Sequence, residues 1–194
     1  PARLREHFAQ LWAHTMLPTE QDRLLAALLT PARLLEFLRF FVLFDRKVGK
    51  VVARYQQFFG IRALLKRIQQ RRPDGGREGG IVWHTTGSGK TLTSFKTSQL
   101  LLDNPRVHKV VFVVDRRDLD YQTTREFNSF APDSVDGTRN TRMLVRQLND
   151  DTRLIVTTIQ KLNAAISRKS YLSGMAGVRD ARIVFIFDEC HRSQ

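Results

Sequence analysis

The chain has 194 residues, 42% of them hydrophobic, and its 32 Lys and Arg against 19 Asp and Glu give a formal net charge of +13. Such a chain buries enough apolar surface for a folded core, which excludes intrinsic disorder, and a single cysteine, Cys190, excludes a disulfide scaffold and suits a reducing cytosol. No stretch approaches the roughly 20 apolar residues of a membrane span. The positive charge favours a polyanion such as nucleic acid as partner, although an Arg-rich composition that only aids solubility is the alternative.

The first 72 residues predict a helical lead-in. Its three helices are expected over about 19–29, 33–44 and 50–72. Thr19 is the candidate cap of the first helix, Pro31 suits the start of the second, and Gly60 suggests a bend in the third. Residues 73–80, with four glycines and a proline, then predict a flexible surface loop.

From residue 81 the pattern changes to short, β-branched apolar runs separated by helical stretches. The predicted strands are 81–83, 110–114, 154–158 and 183–187, and the predicted helices are about 91–102, 119–130, 140–149 and 159–168. Strands that are apolar on both faces are typical of a parallel sheet. The alternation therefore predicts an α/β fold, an open parallel sheet with helices on both faces.

A phosphate-binding loop is predicted directly after the first of these strands. The sequence there is His-Thr-Thr-Gly-Ser-Gly-Lys-Thr, made of His84, Thr85, Thr86, Gly87, Ser88, Gly89, Lys90 and Thr91. Glycines let backbone amides surround phosphate oxygens, Lys90 suits the β- and γ-phosphates, and the Thr91 hydroxyl suits Mg²⁺. His84 departs from the usual first glycine, at a point before the loop tightens. The loop predicts a nucleoside triphosphate and Mg²⁺ as ligands.

Two carboxylates follow the last predicted strand, which ends in Asp188-Glu189-Cys190-His191. Ligands bind at the carboxyl ends of parallel strands, so Asp188 is the candidate second Mg²⁺ ligand and Glu189 the group that orients the attacking water. Cys190 and His191 lack two further ligands at zinc spacing. His191 is a candidate for coupling the nucleotide state to a neighbouring element, or a strand-end histidine with no such task.

The Asp-Glu-x-His box resembles that of superfamily-2 helicases and translocases. Further segments, together with the phosphate loop, resemble the restriction (R, motor) subunit of type I restriction endonucleases. They are Val113–Thr123, Val156–Leu162, and the upstream Leu34-Leu35-Glu36-Phe37 and Ala53-Arg54-Tyr55-Gln56-Gln57. The resemblance implies a RecA-like P-loop NTPase fold over residues 81–194, preceded by the lead-in of residues 1–72 and the loop of residues 73–80.

The resemblance also implies roles for single residues. Gln57 is the candidate adenine contact, with Gln56 the alternative. Phosphates of the DNA backbone are the expected contacts of Arg116, Arg117, Thr157 and Thr158. For the two arginines the less favoured alternative is a pair of solvated loop charges.

The function implied is ATP-driven translocation of double-stranded DNA in the cytoplasm of a prokaryote, coupled to cleavage by a nuclease domain outside this sequence. Expected partners are the methylation and specificity subunits and a second motor domain of the same chain, which would supply an arginine to the ATP site. A chain lacking that arginine is expected to hydrolyse ATP slowly. The alternatives are another superfamily-2 motor, such as an RNA helicase or chromatin-type remodeller, and a module that binds nucleotide and DNA without turnover.

Overall fold

The computed structural model describes residues 19, 21, 22, 25, 28–45, 48–83, 88–115, 117–130, 136–178 and 181–188. Near the start, residues 21, 22, 25 and 28 are helical, and the backbone amide of Asp22 donates to Thr19 Oγ1 at 3.2 Å. In return, Thr19 N donates to Asp22 Oδ2 at 2.9 Å. These reciprocal bonds satisfy amides that a helix start leaves unpaired, and they confirm Thr19 as the cap.

The lead-in contains a β-hairpin between its helices, so the predicted helices over 33–44 and 50–72 are partly wrong. Its elements are α1 (Pro31–Phe40), β1 (Val42–Asp45), β2 (Gly49–Val52) and α2 (Tyr55–Gln69). Val48 N donates to Asp45 Oδ1 at 2.9 Å, and Gly49 has φ 79°, a conformation that favours glycine. The helical prediction overlooked this Asp-to-Gly turn between two β-branched runs. Helix α2 continues through Gly60, where a bend was expected.

Residues 70–80 form a hydrogen-bonded turn against the end of α2. Gly75 N donates to Arg72 O at 3.0 Å and Glu78 N donates to Gln70 O at 3.1 Å. Arg67 of α2 holds the chain further along, because its Nε donates to Gly79 O at 2.7 Å. The glycine-rich segment thus ends the helix as predicted.

The predicted strand over residues 81–83 is wrong, because these residues lie outside the sheet and Trp83 is 91% exposed. An apolar run becomes a strand only when a neighbour pairs with it, which composition alone does not reveal. Here Arg67 of α2 bonds to Gly79, just before residues 81–83.

The second half forms a parallel four-stranded sheet in the order β4-β5-β3-β6. Its strands are β3 (Lys109–Val114), β4 (Asp136–Gly137), β5 (Leu154–Thr158) and β6 (Ile183–Phe187). The helices are α3 (Lys90–Leu102), α4 (Arg117–Phe130), α5 (Thr141–Asn149), α6 (Ile159–Ser167) and α7 (Lys169–Leu172), followed by a 3₁₀ segment (Ser173–Val178). Three predicted strands and all four predicted helices are confirmed; β4 is additional.

The sheet has an apolar core on each face, as the all-apolar strands predicted. Alternate residues of β3 point to opposite sides, with Phe112 packing against Phe95 and Phe127 on one face and Val111 packing with Leu144 on the other. A third cluster, which includes Phe37, Phe41, Phe58 and Ile61, joins α1 and α2 and reaches Leu100 of α3. The lead-in therefore packs directly on the helix that follows the phosphate loop. No helix within the described ranges has the length and apolar character needed to cross a membrane.

Lys109 at the start of β3 is a buried lysine that the sequence analysis overlooked. Its ammonium donates to three backbone carbonyls around the end of α5: Gln147 O at 3.0 Å, Thr152 O at 2.7 Å, and Asp150 O. The carbonyls of Gln147 and Asp150 belong to the C-terminus of α5 and carry its partial negative charge, which a cation complements. Lys109 therefore links the end of α5 to the start of β3.

We expect Lys109→Met to lower the free energy of unfolding by about 3 kcal/mol, because it leaves buried carbonyls without donors. Urea unfolding measures this change. Lys66→Met, at an exposed position of α2, is the control and should change stability by less than about 0.5 kcal/mol. Equal stability of the two variants would contradict the role assigned to Lys109.

Candidate nucleotide-binding site

The phosphate loop leads directly into α3, whose first residue is Lys90. Gly89 immediately precedes the helix with φ 84°, a left-handed conformation that glycine adopts without strain. Ser88, Lys90 and Thr91 are half-buried at this helix start, while residues 84–87 lie outside the described residues. The loop-to-helix transition that the motif predicted is present, at the N-terminal end of α3, where a helix favours bound anions.

Gln57 of α2 packs against this loop. Its Nε2 donates to Gly89 O at 3.2 Å and to Thr93 Oγ1 at 3.3 Å, and its Oε1 accepts from Arg54 N at 2.8 Å. The side chain is only 5% exposed. A Cβ on Gly89 would lie 2.6 Å from Gln57 Nε2, so any side chain there would displace the Gln57 amide.

The structure distinguishes the two candidate glutamines, because Gln56 is exposed and Gln57 is buried at the loop. Both ends of the Gln57 amide are engaged, one at the start of α2 and the other at the start of α3. Gln57 thus joins the lead-in to the phosphate loop. Adenine contact by Gln57 stays a prediction.

Gln57→Ala should destabilise the protein by about 1–3 kcal/mol and weaken ATP binding, because it removes the bonds that hold Gly89 and the α2 start. The matched control is Gln56→Ala, one residue earlier in the same helix and exposed. Thermal unfolding and ATP titration of both variants test this. Equal behaviour of the two would show that the Gln57 amide does not support the loop.

The carboxyl ends of β3, β5 and β6 lie side by side. In the registers, Val113 is opposite both Thr157 and Phe187. Asp188 follows Phe187, and its backbone amide donates to Val113 O at 2.9 Å. This places Asp188 at the edge of the sheet where ligands bind in such folds. Glu189, Cys190 and His191 lie outside the described residues, so their roles stay predictions.

Thr157 and Thr158 are fully buried. Thr157 Oγ1 accepts from Thr138 Oγ1 at 2.8 Å, and Thr158 Oγ1 accepts from Lys161 N at 3.3 Å as the cap of α6. Both hydroxyls therefore bond within the protein in this structure. Their contact with DNA stays a prediction, and it would require these side chains to become accessible.

Gln160 and Lys161, which the sequence analysis did not single out, form hydrogen bonds at the same carboxyl end of the sheet. Gln160 Nε2 donates to Asp115 O at 2.9 Å, linking the start of α6 to the end of β3, and Lys161 Nζ donates to Thr138 O. Their position in the first turn of the helix that follows a buried strand was the available signal. Of the predicted DNA contacts, Arg116 lies outside the described residues, and Arg117 begins α4.

A family model described as SWI2/SNF2 ATPase matches residues 56–194. A putative type I restriction enzyme endonuclease subunit, C-terminal part, from Mycoplasma pneumoniae is 45% identical over 151 residues, covering 74% of this chain and 73% of that protein. The chain thus belongs to the SWI2/SNF2-type ATPases of type I restriction enzyme endonuclease subunits.

The chain spans only about 14% of the length of the longer relatives that it matches first. A type I restriction enzyme endonuclease subunit of Staphylococcus aureus (strain MSSA476) is 54% identical over 139 residues, covering 71% of this chain and 14% of the relative. The UvsW helicase from bacteriophage T4 has a similar fold, with a TM-score of 0.52, 12% identity, and coverage of 96% of this chain and 68% of that structure. The fold is therefore that of RecA-like helicase domains, as the resemblance implied.

Proposed function

We propose that this chain is the ATP-binding part of a motor that translocates double-stranded DNA in a type I restriction enzyme. The observation that carries the proposal is the link from Gln57 to Gly89, which joins the lead-in to a phosphate loop at the start of α3. Family membership supports nucleotide use. Cleavage belongs, in this proposal, to a nuclease domain outside these residues.

The proposed ATP site combines residues at the start of α3, at the carboxyl end of the sheet and on α2. Lys90 would meet the β- and γ-phosphates, Glu189 would orient the attacking water, and Gln57 would contact adenine. The Thr91 hydroxyl at the helix start and the Asp188 carboxylate at the sheet edge are hard oxygen donors, which suit Mg²⁺. Bound Mg²⁺ would neutralise charge on the phosphates during transfer.

The proposed partners follow from charge and family. The net charge of +13 attracts the chain to DNA. The predicted contacts with the DNA backbone are Arg116, Arg117, Thr157 and Thr158. Relatives named as restriction subunits favour assembly with methylation and specificity subunits in a prokaryotic cytoplasm. His191 would couple the ATP site to a second motor domain.

We expect the full-length protein to show ATPase activity that duplex DNA stimulates more than single-stranded DNA or RNA, and affinity for DNA that is independent of sequence and falls steeply with salt. Steady-state ATPase assays and binding titrations at several salt concentrations measure both. Displacement of a third strand from a DNA triplex measures translocation itself, and ATPase without displacement would contradict the translocase.

Two alternative functions give different results in these assays. A superfamily-2 RNA motor would be stimulated by RNA, and a binding module would bind ATP and DNA with no turnover in the full-length protein. The family membership favours neither over a restriction motor.

A further inference from the structure

A cluster of arginines lies at the end of the sheet opposite the predicted ATP site. The cleft there has a volume of about 370 Å³ and is lined by Arg71, Pro105, Arg106, His108 and Arg182. Arg106 and His108 precede β3, and Arg182 precedes β6. These residues therefore stand at the amino ends of the strands, whereas Asp188 stands at the carboxyl ends.

Three separate segments line this cleft, and two of them are hydrogen-bonded to each other. Arg182 N donates to His108 Nδ1 at 2.8 Å, and His108 N donates to Arg182 O at 2.9 Å. Arg71 joins from the turn after α2, where its backbone pairs with Arg77. Because Nδ1 accepts a hydrogen bond, the imidazole proton lies on Nε2, which leaves His108 a donor.

The cleft is basic and has no acidic counterpart within the part of the chain that the structure describes. The nearby carboxylates bind other arginines: Asp74 pairs with Arg72 at 3.0 Å and Glu78 pairs with Arg67 at 3.1 Å. Burial, followed by the charges of Arg71, Arg182 and Arg106, lowers the pKa of Arg77. Several guanidinium groups thus repel one another around one cleft.

Such a concentration of positive charge is unfavourable unless an anion offsets it. Guanidinium groups bind phosphate through paired N–H donors, and the open cleft would admit a phosphodiester group. The overall charge of +13 favours a polyanion over a small anion. These features are independent of the phosphate loop and of the predicted contacts at the carboxyl ends of the strands.

We propose that Arg71, Arg106, Arg182 and His108 form a second contact for the phosphodiester backbone of duplex DNA, on the side of the sheet away from the ATP site. This inference rests on the proposed DNA-translocating function. The contact would be independent of sequence and would hold the duplex to the motor at a point separate from the strand ends that carry the predicted DNA residues.

The test is a triple variant of the full-length protein, Arg71→Gln, Arg106→Gln and Arg182→Gln. We expect its Kd for a 30-bp duplex of arbitrary sequence to rise about tenfold or more in about 0.1 M salt, and the slope of log K against log salt to fall by roughly 2–3. The control triple is Arg125→Gln, Arg142→Gln and Arg168→Gln, with the same charge change at exposed positions of other elements. Its slope should change by less than half as much.

Stability and competition measurements complete the test. None of the three arginine side chains makes a hydrogen bond or ion pair within the described ranges. The unfolding temperature of the cluster variant should therefore equal or exceed that of the parent. Equal loss of DNA affinity in both triples overturns the proposal. Competition by poly-glutamate as strong as that by duplex of equal charge also overturns it. So does a loss of affinity in the cluster variant that is seen for inorganic phosphate and not for duplex DNA. If the parent itself binds no DNA, the proposed function fails instead.

Discussion

Replacing Lys90 with alanine should raise the Kd for ATP about a hundredfold, the strongest loss of binding expected from a single side chain here. Lys90 is the first residue of α3, directly after the left-handed Gly89. Loss of charge-assisted hydrogen bonds to two phosphates corresponds to about 3 kcal/mol. Titration with a fluorescent ATP analogue, in the presence of Mg²⁺, measures the change.

The control for this experiment is Lys66→Ala, which removes the same charge at an exposed position of α2. It should leave ATP affinity within about twofold. AMP provides a second comparison, because it lacks the β- and γ-phosphates and should bind the parent and Lys90→Ala equally. Unchanged ATP affinity of Lys90→Ala would contradict the assignment of the phosphate loop.

The sheet was predictable because its strands are apolar on both faces. Strand β5, over Leu154–Thr158, has the predicted bounds, and β3 differs by one residue. The hairpin of β1 and β2 was not predicted, since its apolar residues also suit a helix and the decisive signal is local, the bond from Val48 N to Asp45. The strand predicted over residues 81–83 was wrong for a different reason. A strand needs a neighbouring strand to pair with, and the hydrophobic pattern does not show whether one is there.

In the candidate site, motif spacing predicted a phosphate loop but not the side chains that contact it. Gln57 was predicted through its resemblance to a family position, whereas its bond to Gly89 emerges only from the packing of α2 on α3. The bond between the Thr157 and Thr138 hydroxyls likewise depends on two segments that the sequence does not bring together. Gln57 and Gly89 are 32 residues apart in sequence, and Thr138 and Thr157 are 19 apart. Such groups meet only through folding, which single-sequence reasoning does not measure.

Replacing Glu189 with glutamine should abolish ATP turnover while leaving ATP binding nearly intact. Glu189 follows Asp188, whose backbone is fixed to Val113 at the carboxyl edge of the sheet. Glutamine keeps the size of the side chain but cannot accept a proton, so the attacking water loses its base. The expected fall in kcat is about 10²–10⁴, with the Kd for ATP unchanged within about twofold.

DNA-stimulated ATPase of the full-length protein measures the loss, and ATP titration of the same preparation shows that the site still binds. Glu126→Gln, on α4, is the matched control, and its kcat should equal that of the parent. Asp188→Asn differs in a second way, because a lost metal ligand should make activity depend on a higher Mg²⁺ concentration, whereas added Mg²⁺ should not rescue Glu189→Gln. Full turnover in Glu189→Gln would show that another group orients the water, and rescue by Mg²⁺ would assign Glu189 to the metal.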